Sequence, residues 1–133
     1  DEVHKAAFES SAASDIFITG YFPHESFPEL YRNSEACVFP SVNEGAGLPI
    51  LEAMATGIPV ACAKAGALPE VAGNNALFFD SNNIEEFASC IEKITTDEVF
   101  RKKISESALV WSKRFSWEKC VLETLEIIKS ILK

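Results

Sequence analysis

Positive charge is scarce in this sequence. Twelve Lys and Arg stand against 20 Asp and Glu, for a formal net charge of −8, and Lys64 is the only basic residue between Arg32 and Lys93. A broad nucleic-acid surface needs clustered cations, so nucleic acid is excluded as a partner. No apolar run approaches the ~20 residues that span a bilayer, and the opening residues carry no signal-peptide pattern. The expectation is a soluble protein. The four cysteines, Cys37, Cys62, Cys90 and Cys120, form no C-x-x-C pair. The two histidines, His4 and His24, are isolated. Neither a zinc site nor a disulfide framework is expected, and the cysteines read as buried free thiols in a reducing cytosol. There are no internal repeats, low-complexity tracts or linkers.

What is present is a chain of 133 residues that is 47% hydrophobic, enough for one domain with a real core and too short for two. Short apolar runs alternate with amphipathic stretches. Ile16–Tyr21, Ala36–Phe39, Val60–Ala63 and Ala76–Phe79 are nearly continuous in apolar residues, the pattern of parallel strands covered on both faces. Ser26 and Glu29 form a capping-box pattern with Pro28 in the first turn, predicting a helix to about Glu35. A second helix is expected from Leu48–Pro49 to Gly57, with Pro59 just beyond. Asn83 and Glu86 mark the start of a third, with Ile84, Phe87, Ala88, Ile91 and Ile94 on its apolar face. Phe100, Ile104, Ala108, Trp111 and Phe115 define a fourth. Ser116 opens a last helix carrying Trp117, Val121, Leu125, Ile128 and Leu132. Residues 1–14 also have a helical pattern. Strand–helix alternation of this kind predicts an α/β fold, a Rossmann-like parallel sheet with helices on both faces.

The segment from Phe39 to Val60 carries the chemistry. It reads as strand, loop, helix, turn and strand, and in open α/β sheets ligands bind beyond the carboxyl ends of strands. Gly45 and Gly47 leave backbone N–H groups open to close approach by a ligand oxygen. The following helix directs its N-terminus at the same place, which suits a phosphate. Glu44 lies in the loop and Glu52 eight positions later in the helix; two ionised carboxylates could accept hydrogen bonds from vicinal hydroxyls. Phosphate and hydroxyls together describe a nucleotide sugar. Those two acids alone equally fit a helix-dipole partner and a solvated loop residue.

In full, Glu44 to Val60 reads E-G-A-G-L-P-I-L-E-A-M-A-T-G-I-P-V. It resembles the group 1 glycosyltransferases, retaining enzymes of the GT-B fold (family 4 and its relatives), whose second domain holds two glutamates separated by seven residues in such a context. G-Y-F-P at Gly20–Pro23, L-Y-R-N-S at Leu30–Ser34 and F-P-S at Phe39–Ser41 precede it in the family's order. G-A-L-P-E-V at Gly66–Val71 and F-S-W-E at Phe115–Glu118 follow. The resemblance covers the chain from Ile16 onward.

The resemblance implies a role for each matching position. Glu44, the candidate catalytic residue, would contact donor-sugar hydroxyls. Gly45, Ala46, Gly47 and Leu48 would meet the sugar and distal phosphate through backbone N–H groups, and Glu52 would hold the ribose. Gly20 and Tyr21, in the loop through Phe22, would meet the nucleobase. No metal or other cofactor is implied. The helix from Ser116 resembles the one that crosses back to the partner domain. Ala46 stands where an aromatic is usual, which changes the sugar pocket. The family's second domain also begins with two strands, bearing the Arg and Lys that neutralise the diphosphate, that have no counterpart here. Residues 1–133 are thus expected to be a C-terminal donor-binding domain lacking those strands and the acceptor domain. Its partners would be a nucleotide-diphosphate sugar and a glycan or lipid-linked acceptor, in the cytoplasm or at the inner membrane face. A second reading is a non-catalytic nucleotide-sugar-binding module completed by a partner chain. Lys64 is a weak phosphate candidate, and Glu70 reads as the start of a short helix. Trp111, Phe115 and Trp117 read as core or interdomain packing, and the charges of the last two helices as solvated faces.

Overall fold

The computed structural model describes residues 2–132. Three parallel strands form one sheet in the order β1 (Cys37–Phe39), β2 (Val60–Ala63) and β3 (Leu77–Phe79). Val38 pairs with Ala61, and Cys62 with Phe78. Among the described residues there are seven α-helices: α1 (Glu2–Glu9), α2 (Phe27–Arg32), α3 (Leu48–Ala55), α4 (Leu68–Ala72), α5 (Ile84–Thr96), α6 (Glu98–Ser112) and α7 (Trp117–Ile131).

β2 shows why its apolar residues run without interruption. Successive side chains point to opposite faces, and both faces are covered. Val60 and Cys62 enter a cluster with Ile50, Ala53 and Met54 of α3, Leu68 and Ala72 of α4, and Ala108 of α6. Ala61 and Ala63 enter a second with Phe79, Cys90 and Ile94, under α5. The expected sheet with helices on both faces is therefore present.

Helix starts follow local chemistry where a short side chain meets an extended backbone. The Asn83 side chain accepts from the Glu86 N–H, and Ser116 from Lys119 N–H at 3.1 Å. Glu86 does not return the bond to Asn83; its carboxylate accepts from Asp80 N–H at 2.9 Å. Ser26 does not cap α2. It closes a 3₁₀ turn, His24–Ser26, and sits at φ −88°, ψ −14°, outside the extended region a capping residue needs. Glu29 turns instead to Asn33 Nδ2, at 2.9 Å, and α2 stops at Arg32 rather than near Glu35.

The largest departure is Ile16–Tyr21, which is not a strand. A strand exists through hydrogen bonds to a neighbour, and this segment pairs with none of the three. Its side chains stay in solvent, with Phe17 at 83% and Tyr21 at 91% exposure. The helix expected over residues 1–14 is α1 followed by a 3₁₀ turn, Ala13–Asp15; residue 1 lies outside the described residues. α7 buries no residue, and Cys120 on it is exposed rather than buried. Trp117, at 74% exposure, and Phe115 are likewise not core residues. Among the described residues no helix is long and apolar enough to cross a membrane.

Candidate functional site

The loop after β1 leads into α3 through Gly47, whose backbone is left-handed at φ 63°, ψ 33°. A side chain there would be strained and would also crowd α4, because a Cβ at Gly47 would lie 3.0 Å from Leu68 Cδ2. Leu68 is fully buried. The turn from Glu44 to Gly47 is thus pressed against the start of α4.

Glu44 is held at both its backbone and its side chain. Its carbonyl accepts from Ala67 N–H at 2.9 Å. Its carboxylate accepts from Gly47 N–H at 3.3 Å. One of the backbone donors expected to face a ligand is therefore engaged by Glu44 itself. Gly66 passes so close to Glu44 that a Cβ on it would lie 2.2 Å from the Glu44 carbonyl oxygen.

On α3, Leu48, Leu51, Glu52 and Ala55 lie at helical spacing and line one wall of a cavity of about 740 Å³. Ala46 completes that wall, and Trp111, Arg114 and residues of α7 form the opposite side. Glu44, Gly45 and Gly47 belong to the loop at its rim and do not line it, and Gly20 and Tyr21 are also absent from its walls. The structure therefore brings Ala46, Leu48 and Glu52 together and leaves the residues expected at the nucleobase in the exposed 16–21 segment. A ligand-sized cleft that joins apolar walls to polar side chains is the general form of a small-molecule site.

Two cations missed in the sequence, Arg114 and Lys119, also line the cavity. Arg114 stacks over Trp111 at 4.3 Å, and Lys119 pairs with Glu123 at 3.7 Å. Neither stands in a motif, so spacing gave no signal for them. Lys119, expected on a solvated face, reaches the cavity because α7 lies across it. Lys64 does not line it. Glu70 takes its place in the first turn of α4, as expected.

Burial shapes the titration of the groups behind α3. It pushes the thiols of Cys37 and Cys62 up to about 11 and about 12. Burial is also the main cause raising the Tyr31 phenol to about 12, with the Cys37 and Glu52 charges adding to it. Glu52 is thus within electrostatic reach of Tyr31. Among the described residues no three His, Cys, Asp or Glu side chains gather at metal-binding spacing.

The family model for glycosyl transferases group 1 matches residues 1–111. O-antigen chain mannosyltransferase B of Escherichia coli is 40% identical over 110 residues, 83% of this chain and 29% of that protein. A D-inositol 3-phosphate glycosyltransferase of Nocardioides is 32% identical over 117 residues, 84% of this chain and 26% of that protein. The chain thus spans less than a third of the length of these relatives. Among solved structures, sucrose-phosphate synthase of Thermosynechococcus elongatus superposes with a TM-score of 0.89 over 98% of this chain and 34% of its own, at 22% identity, a likeness of fold. The C-terminal domain of a group 1 family glycosyl transferase, LpcC of Francisella tularensis, superposes at 0.70 with 28% identity, covering 84% of this chain and 62% of that one. The order of motifs along the sequence, the parallel sheet they build and these matches agree, and the chain belongs to the glycosyl transferases group 1 family.

Proposed function

We propose that this chain supplies the nucleotide-sugar donor site of a retaining glycosyltransferase. The observation that carries the reading is the placement of Glu52, with Ala46 and Leu48, on one wall of the cavity beside α3. In this reading Glu52 accepts hydrogen bonds from the ribose hydroxyls, and Glu44, at the rim, accepts them from the donor sugar. Backbone dipoles at the start of α3 stabilise the diphosphate as it leaves, an electrostatic contribution that needs no metal ion. The two carboxylates position the donor and are not an acid–base pair, which separates the reaction from glycoside hydrolysis. Gly20 and Tyr21, in the exposed 16–21 segment, meet the base in this reading.

The relative named as a mannosyltransferase makes a nucleotide-activated mannose the first donor to try. In this reading the acceptor is a glycan or a lipid-linked acceptor, met in the cytoplasm or at the inner membrane face.

The test is an amide NMR titration of the chain with UDP, GDP and ADP. Shifts should cluster at Gly45, Ala46, Leu48 and Glu52. Shifts confined to other surfaces, or none at millimolar nucleotide, would contradict the reading.

Exposed apolar surface on α7, at Val121, Leu125 and Ile128, favours a second reading, a nucleotide-sugar-binding module completed by a partner chain. Sugar transfer by this chain alone would exclude it.

A further inference from the structure

The function so far uses Glu44 and Glu52 but leaves the G-A-L-P-E-V segment without a role. We propose that Gly66 and Ala67, on the loop between β2 and α4, are positioning residues that clamp Glu44 at the rim of the donor site. This rests on the donor-site reading given above.

Three contacts meet at one short turn. Ala67 N–H donates to the Glu44 carbonyl at 2.9 Å. Gly66, in the left-handed region at φ +52°, lies against the same peptide, where a Cβ would come within 2.2 Å of Glu44 O and 2.8 Å of Glu44 N. One residue further on, Leu68 packs its Cδ2 where Gly47 has no side chain, with 3.0 Å to the Cβ position. The start of α4 therefore touches both ends of the Glu44–Gly47 turn. That turn is closed internally by the Glu44 carboxylate on Gly47 N–H at 3.3 Å.

The clamp has a functional consequence because Glu44 is in a loop. A loop carboxylate has many rotamers and backbone states, and fixing its peptide removes most of that freedom before a ligand arrives. Backbone atoms of Gly66 and Ala67 do the fixing, so they place the carboxylate without meeting the sugar. Only glycine fits at Gly66, for two independent reasons: the sign of φ and the proximity of the Glu44 carbonyl. The positioned group is Glu44 and not Glu52, which α3 holds by its own helical geometry. The clamp thus bears on recognition of the sugar and leaves recognition of the nucleotide to α3.

The experiment compares the wild-type chain with Gly66→Ala and with Ala67→Pro. The second removes the donor to Glu44 and sets the ring Cδ against the same carbonyl, at a position whose φ of −79° proline can adopt. Amide hydrogen exchange is read first, without ligand. Both variants should lose protection at Gly47, and Gly66→Ala also at Ala67, while the Lys64 amide, bonded to Phe79 O at 2.9 Å, keeps its protection. Affinities for a nucleotide sugar and for the bare nucleoside diphosphate are read next. The nucleotide sugar should weaken roughly tenfold or more, as for loss of a hydrogen bond to a charged group, and the bare diphosphate should be unchanged. Unaltered protection at Gly47 in both variants overturns the clamp whether or not any ligand binds. Equal weakening of both ligands overturns its selectivity for the sugar. A wild-type chain that exchanges as expected but binds neither ligand refutes the donor-site reading and leaves the clamp a feature of folding only.

Discussion

Gly45 and Gly47 lie two positions apart in the same loop, yet the structure predicts opposite effects of alanine at the two. At Gly47 the backbone is left-handed at φ +63°, which costs an L-residue about 1–2 kcal/mol. The new Cβ would also stand 3.0 Å from Leu68 Cδ2, and Leu68 is fully enclosed in the main core cluster. Overpacking of that kind adds about 1–3 kcal/mol. The expected loss is about 2–5 kcal/mol, or roughly 6–20 °C in Tm for a chain of this size. Gly45 has no positive φ, and a Cβ there would meet no heavy atom within 4 Å among the described residues. Gly45→Ala should be neutral or stabilising by up to about 1 kcal/mol, through the unfolded chain. Urea unfolding followed by circular dichroism measures both. If Gly47→Ala matches the wild type, or if Gly45→Ala falls as far, the account of this loop is wrong.

Further predictions concern the core and the termini of helices. Met54 of α3 is fully buried, so Met54→Ala should cost about 2–5 kcal/mol in urea unfolding. Asn83→Ala removes the cap bond to Glu86 N–H and should cost about 1 kcal/mol by the same measurement. Cys37 and Cys62 titrate higher in the folded chain than the ordinary value of 9.0. The folded state therefore binds more protons than the unfolded one from about pH 9 upward. Stability is full below pH 9 and falls toward pH 11–12, by about 1.4 kcal/mol per pH unit for each thiol ionised only in the unfolded chain. An unfolding midpoint that stays flat from pH 8 to 11 would refute this. A thiol reagent at pH 8 should modify the exposed Cys120 quickly and the buried Cys62 and Cys90 only on unfolding, as mass spectrometry of the labelled chain would show.

The parts of the fold legible in the sequence are those that local chemistry decides. β2 announced itself because both its faces are buried, which leaves no polar position to break the run. Asn83 and Ser116 were readable as caps because each acts on a backbone donor three residues away. Ile16–Tyr21 was misread for the opposite reason, since its residues favour a strand but a strand needs a neighbour. Ser26 carried the right pattern, yet the 3₁₀ turn that it closes set its backbone to the wrong conformation. Of the residues that line the candidate cavity, Ala46, Leu48 and Glu52 stand in a motif of fixed spacing that the sequence shows directly, while Glu44 of the same motif lies in the adjoining loop. Gly66 was part of a matched segment, but its approach to the Glu44 peptide joins distant parts of the chain and has no local signature. Arg114 and Lys119 were hidden likewise, because only the fold brings the end of α6 and the start of α7 to the same cavity as α3.

Calorimetric titration would show whether Glu52 holds the nucleotide of a sugar donor, as proposed. The chain is titrated with UDP, GDP and their common sugar conjugates, and the series is repeated on Glu52→Ala. Saturable binding of one nucleotide family is expected, weakened roughly tenfold or more in the variant, as when a charged hydrogen-bond acceptor is lost. Equal affinity of the two chains, or no binding by the folded wild type, would contradict it.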